Sequence, residues 1–161
     1  MASSLQTRKM TRLNLKTMFV FVLLTLAGTA AANLGDADDD DLDNPLIAQG
    51  RSELQNENWD GAIAVFEEAL KVTLGSADLH NFLGYAYRKS GNLKSAFEHY
   101  GKALEINPDH KGALEYLGEA YIQSGDLMSA EKQLTKLKKI CSPIPCEELG
   151  ELQAAIDEAK K

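Results

Sequence analysis

The chain has 161 residues, with 17 lysines and arginines against 24 aspartates and glutamates, and only two cysteines. The first 32 residues hold Arg8, Lys9, Arg12 and Lys16 and no acid, so residues 33–161 carry 13 basic and 24 acidic groups, a balance of −11. That balance argues against nucleic acid and anionic membrane surfaces as main partners, which need a basic footprint, and two cysteines cannot build a four-thiolate zinc site.

Residues 1–17 are polar and basic, and the apolar stretch from Met18 leaves through Ala30-Ala31-Ala32 before turning polar at Asn33. Residues 1–32 therefore have the layout of a secretory signal peptide cleaved near Ala32. The apolar run is shorter than the roughly 20 residues of a bilayer crossing; an uncleaved amino-terminal anchor is the alternative. Cleavage implies a periplasmic or secreted protein with no stable membrane anchor. Gly35 to Asp43 then holds six aspartates in nine residues. Charge at this density with nothing apolar to bury predicts a disordered, solvated leader over residues 33–42. A calcium loop of the EF-hand type is the rival, but its glycine and glutamate are not in register here.

A 34-residue period organises the remainder of the chain. Gly50, Gly84 and Gly118 are 34 apart, and Tyr87/Tyr121, Gly91/Gly125, Leu93/Leu127 and Ala96/Ala130 repeat at the same offset. The first copy answers with Trp59, Ala62, Phe66, Ala69 and Leu70, and the middle one with Leu93, Ala96, Tyr100, Ala103, Leu104 and a closing Pro108. Each copy predicts two helices, in the middle copy roughly Ala77–Ser90 and Leu93–Asn107, broken at Gly91 and ended before Pro108. Gly84 and Ala96 are small where two antiparallel helices approach, while Tyr87 and Tyr100 are large where the gap beside them is filled. One such hairpin cannot bury its apolar face alone, so neighbours stack.

With Leu83-Gly84, Tyr87, Gly91, Ala96, Tyr100, Ala103 and Pro108 in these places, the chain resembles the tetratricopeptide repeat family over roughly residues 43–142. The resemblance implies an all-α, right-handed superhelical solenoid of three helical hairpins at 43–76, 77–110 and 111–142, with a capping helix within 143–161. The third copy departs with Leu134, Leu137 and Ser142 where an aromatic residue, an alanine and a proline are usual; the first has Glu53 in place of the tyrosine. In residues 146–160, Leu149, Leu152, Ile156 and Ala159 form one stripe, with Glu147, Glu148, Glu151, Asp157 and Glu158 on other faces, as a terminal cap requires.

Cys141 and Cys146 lie in the Ser-Pro-Ile-Pro joint between the third copy and the cap. In an oxidising compartment two thiols so close are expected to pair, fixing the angle of the cap. A metal or redox role for the pair is the alternative, although His80, His99 and His110 offer no local third ligand and the spacing is not Cys-x-x-Cys. His80 and His99 read as packing or rim residues of helices. No nucleophile elbow, phosphate-cradling loop or His-Glu-x-x-His is present, so no enzyme and no cofactor are expected.

The resemblance implies that the first helix of each repeat lines a concave groove that takes a protein or peptide segment. Carried onto this sequence, the groove residues are Arg51, Asp78, Asn81, Tyr85, Arg88, Lys89, Glu115, Glu119 and Gln123, with Ile47, Leu54, Gln55 and Ile122 beside them. Arg51, Arg88 and Lys89 are the groups for a carboxylate and Tyr85 is a flat amphipathic face. Relatives that grip a chaperone's terminal carboxylate do so with lysines, arginines and asparagines, and Ile47, Phe82, Gly112 and Tyr116 occupy most of those places here. The function expected is an exported bacterial interaction module or scaffold. The alternatives are an assembly chaperone for cytochrome or envelope proteins, a metal or redox role, and self-association.

Overall fold

The computed structural model describes residues 44–161, so the signal-peptide and acidic-leader expectations lie outside the described residues. Seven α-helices follow one another among these residues: α1 Pro45–Gln55, α2 Trp59–Val72, α3 Ala77–Lys89, α4 Leu93–Ile106, α5 Lys111–Gln123, α6 Leu127–Ile140 and α7 Glu147–Ala159. They pair as three antiparallel hairpins, α1–α2, α3–α4 and α5–α6, stacked in order and closed by α7 against α5 and α6. The expected helix ends in the middle repeat are each one residue too long at the carboxyl side, a difference of helix-terminus definition.

The starts of α1 to α6 are set by side chains that accept an orphan backbone N–H group of the first turn. Asn44, with Pro45 behind it, receives Leu46 N–H; Asn58, Ser76, Asn92 and Asp126 likewise receive the N–H three residues on. Gly91 and Gly125 turn the second and third hairpins at φ 87° and 83°. The same place in the first hairpin is Glu57, held at φ 56°. A side chain in that region is strained by about 1 kcal/mol, which is part of why the first copy reads poorly as a repeat.

Three glycines admit the large side chains. A Cβ at Gly50 would collide with the ring of Phe66 on α2, and one at Gly84 would lie 2.5 Å from the ring of Tyr100 on α4. Both rings are fully buried. In the third hairpin the periodic partner is the shorter Leu134, and the atom that would meet a Cβ at Gly118, 2.5 Å away, belongs instead to Leu152 of α7. The cap thus enters the notch that an aromatic ring fills twice before. Leu152 and Ile156 are fully buried there. One detail differs from the sequence expectation: Glu148, placed off the apolar stripe, is only 6% exposed, because it stands one turn before Leu152 and two before Ile156 on the buried face of α7.

Candidate functional site

The inner face is made by α1, α3 and α5, and the structure sorts the nine expected groove residues into three sets. Asp78, Asn81 and Glu115 are 2%, 0% and 1% exposed. They are corrected from lining residues to interior ones, because the next helix in the stack covers each of them.

Asp78 meets His110, whose Nε2 lies 2.9 Å from Asp78 Oδ1 in a buried pair. His110 also caps α5, its Nδ1 accepting Ala113 N–H at 3.1 Å. With Nδ1 an acceptor, Nε2 carries the hydrogen and donates it to Asp78. Asn81 faces Gly112, where a Cβ would come within 3.3 Å of the Asn81 amide nitrogen. Neither polar atom of the Asn81 side chain has a hydrogen-bond partner. Glu115 sits 34 residues on, beneath α7; burial, then the nearby carboxyls of Glu151, Glu119 and Glu148, push its carboxyl up to about 10.

The second set is present but engaged. Arg88 and Glu119 form an ion pair at 2.6 Å, with the arginine side chain 13% exposed. The guanidinium carbon stands 5.4 Å from the ring centre of Tyr85 and 5.6 Å from that of Tyr116, two rings themselves 5.0 Å apart. Arg88 is therefore a brace between α3 and α5. The expectation that it grips a ligand carboxylate is corrected, since Glu119 already takes that position.

The third set is available. Lys89 is exposed, its Nζ 5.4 Å from the ring centre of Trp59 and 5.8 Å from that of Tyr85. Trp59 and Tyr85 meet edge to face at 6.1 Å. Arg51 lies over Phe82 at 5.8 Å and lines a shallow hollow along α1 with Ile47, Ala48, Ser52 and Gln55. No carboxylate lies within ion-pair distance of Arg51 or Lys89 among the described residues. Gln123 is exposed at the end of α5. Trp59, absent from the expected groove residues, joins the face because the hairpin turn brings the start of α2 beside the end of α3.

Away from this face, His80 and His99 meet through their Nδ1 atoms at 3.0 Å, His99 stacks on Tyr87 at 5.4 Å, and the Tyr87 hydroxyl donates to Glu67. Burial, then the neighbouring His80 and Lys102, lower His99 to about 4. The unfolded chain therefore binds the extra proton between about pH 6.5 and 4, and stability falls as pH falls through that window. Half-exposed as the ring is, we expect a loss of about 1 kcal/mol. His99→Phe, which keeps the stack, should flatten that part of the pH–stability curve measured by urea unfolding; an unaltered slope would count against the pair. Among the described residues no group of three or more histidines, cysteines or acids is arranged to hold a metal.

Cys141 and Cys146 are joined in a disulfide, their Cα atoms 5.4 Å apart. Cys146 stands at the amino-terminal cap position of α7 and makes no capping hydrogen bond.

A stack of three helical hairpins closed by a seventh helix defines an α-helical repeat solenoid. Two tetratricopeptide repeat family models match residues 47–111 and 87–140, together more than half of the chain. The chain belongs to the tetratricopeptide repeat family. A curated relative, the chloroplastic tetratricopeptide repeat domain-containing protein PYG7 of Arabidopsis thaliana, is 36% identical over 78 residues, 48% of this chain. The match spans only 26% of that protein. Among solved structures, the type III secretion translocator chaperone SycD of Yersinia enterocolitica superposes with a TM-score of 0.66 at 17% identity, covering 78% of this chain and 87% of its own. PcrH of Pseudomonas aeruginosa gives 0.66 at 20% identity, covering 81% and 99%. SycD has also been solved with a peptide of the translocator YopD, and PcrH with the chaperone-binding region of PopD. These likenesses establish the fold.

Proposed function

We propose that the chain is a protein-interaction module that holds a segment of a partner protein on the inner face of its first two hairpins. The observation that carries this is the pairing of two unclaimed cations with aromatic faces: Lys89 over Trp59 and Tyr85, and Arg51 over Phe82. A cation on an aromatic ring is held in place yet keeps donors for an incoming carboxylate, and the part-exposed rings of Trp59 and Tyr85 offer flat apolar area beside Lys89. The segment recognised is therefore acidic with apolar neighbours. Arg51→Glu with Lys89→Glu should reduce capture of the partner at least tenfold in pull-downs, with the helical circular dichroism spectrum unchanged. Undiminished capture by the folded double variant would remove this face as the binding surface.

We further propose that the module acts beyond a membrane, in the periplasm or outside the cell, because residues 1–32 read as a signal peptide and the chain carries a disulfide. Sequencing the amino terminus of the exported protein tests it, with Asn33 or a close neighbour as the expected first residue. A second reading, an assembly chaperone for an envelope client, is favoured by SycD and PcrH, both solved with peptides of the proteins they bind. It predicts that the bound segment comes from a client that is unfolded when captured.

A further inference from the structure

The joint before α7 differs from the others among the described residues. The six helices α1–α6 each begin with a side chain accepting a first-turn N–H, whereas α7 begins at Cys146 with none. Apolar contact through Leu152 and Ile156 and the disulfide across Ser142-Pro-Ile-Pro145 hold α7, with an exposed ion pair from Lys160 to Glu131 of α6 at its far end. Opposing them is the acidic floor on which α7 rests. Glu115 is 1% exposed; its carboxyl hydrogen-bonds Glu151 of α7, while its Oε2 has no hydrogen-bond partner. Glu148 and Glu151 face it from α7, Glu119 and Tyr116 from α5, where Lys111 stands one turn before it, and Tyr85 from α3; Arg88 of α3 is taken by Glu119.

We infer that the Cys141–Cys146 bond is a reduction site for a dithiol, and that opening it lets α7 leave α5, baring the third hairpin's end of the groove. Ser142 to Pro145 are exposed and Cys146 is partly so, while Cys141 is buried. An attacking thiolate reaches Cys146 Sγ and forms a mixed disulfide; Cys141 leaves as a thiolate and takes up a proton. The second thiol of the reductant then attacks its own sulfur in the mixed disulfide. Cys146 is released at the amino end of α7, where the helix dipole favours a thiolate. Two electrons pass to the protein, one proton ends on Cys141 and the other goes to solvent while Cys146 stays a thiolate, and the reductant becomes a disulfide.

The consequence comes from the floor. With α7 in place the Glu115 carboxyl is neutral, a form an exposed glutamate of ordinary value 4.5 adopts about once in 300 at pH 7. Closing so short a loop offsets roughly 30-fold of that. Once α7 lifts, Glu115 ionises beside Glu119, and the notch at Gly118 and Leu134 is open. That surface suits a helix bearing an aliphatic side chain next to a lysine or arginine. This deepens the groove reading, and only its last step depends on it.

Hydrogen exchange of the intact chain, oxidised and after dithiothreitol, tests the latch at pH 6 and pH 8, with intrinsic rates divided out. Reduction should speed exchange in α7 about 30-fold and leave α1–α4 unaltered, and the reduced chain should open further at pH 8 than at pH 6. Cys141→Ser with Cys146→Ser should behave as the reduced protein without reductant. Glu115→Gln should keep α7 protected and remove the pH dependence. Equal α7 exchange in both redox states would overturn the proposal. So would acceleration of every helix together, which would make the bond a general staple. Partner capture by Arg51→Glu, Lys89→Glu is a separate readout, so either reading can fail alone.

Discussion

Leu152→Ala is expected to destabilise the chain by about 3–5 kcal/mol, the range for emptying a fully buried leucine site that cannot collapse. The reason it cannot collapse is local. Leu152 stands against Gly118, which has no side chain to follow it, and the surrounding Leu114, Leu134 and Leu137 are themselves buried. The rigid backbones of α5 and α6 keep the notch open. Chemical denaturation should show the loss with fluorescence and circular dichroism alike, and loss confined to α7 by hydrogen exchange would show that the cap unfolds as its own unit. The compensating experiment is Leu134→Phe. A ring from α6 restores the arrangement of the first two hairpins and competes with Leu152 for the same space, so it should displace α7 in the otherwise unaltered chain. A cap still protected in that variant would mean that Leu152 is not what seats it.

Gly84→Ala is the second large effect, and it has an internal control. Its Cβ would lie 2.5 Å from a ring atom of Tyr100, a side chain with no exposed surface. The ring cannot swing away, so α3 must separate from α4; overpacking of this kind costs about 2–3 kcal/mol. Gly101 and Gly150 also sit within helices, but a Cβ at either meets nothing within 4 Å. There the same substitution should stabilise by up to about 1 kcal/mol through helix propensity. Opposite signs for Gly84→Ala and Gly101→Ala in urea unfolding would confirm that contact, and not the glycine itself, decides. Matching signs would refute it.

The hairpins were legible in the sequence because each repeat position has one steric role, so Gly84, Tyr100 and Ala103 announce their neighbours by size. Departures from the period were legible only as departures. Leu134 in an aromatic place marks a deficit on α6, but nothing local says that residue 152 supplies the missing volume, since that depends on how α7 rolls. The groove was less readable for a related reason. Sequence identifies which residues lie on the inner helices; whether a side chain there is free depends on the next helix in the stack. Asp78 and Glu115 carry the charge of surface residues and are interior, one paired with His110 and the other neutral. Arg88 and Lys89 are adjacent and look alike, yet one is engaged by Glu119 and the other is open. Trp59 was visible as a repeat residue, while its place beside Lys89 follows from the hairpin turn.

His110 crosses the joint between the second and third hairpins through Nε2 on Asp78 of α3, while its Nδ1 pins the ring to the first turn of its own helix, α5. Bending that joint strains the buried Asp78–His110 bond, and the imidazole, pinned at its other nitrogen, cannot turn to follow without giving up the cap of α5. The curvature there is consequently preset, and a partner lying across it meets a surface already shaped. Less ordering entropy is then lost on association, which lets a short contact hold more tightly than its area alone would suggest.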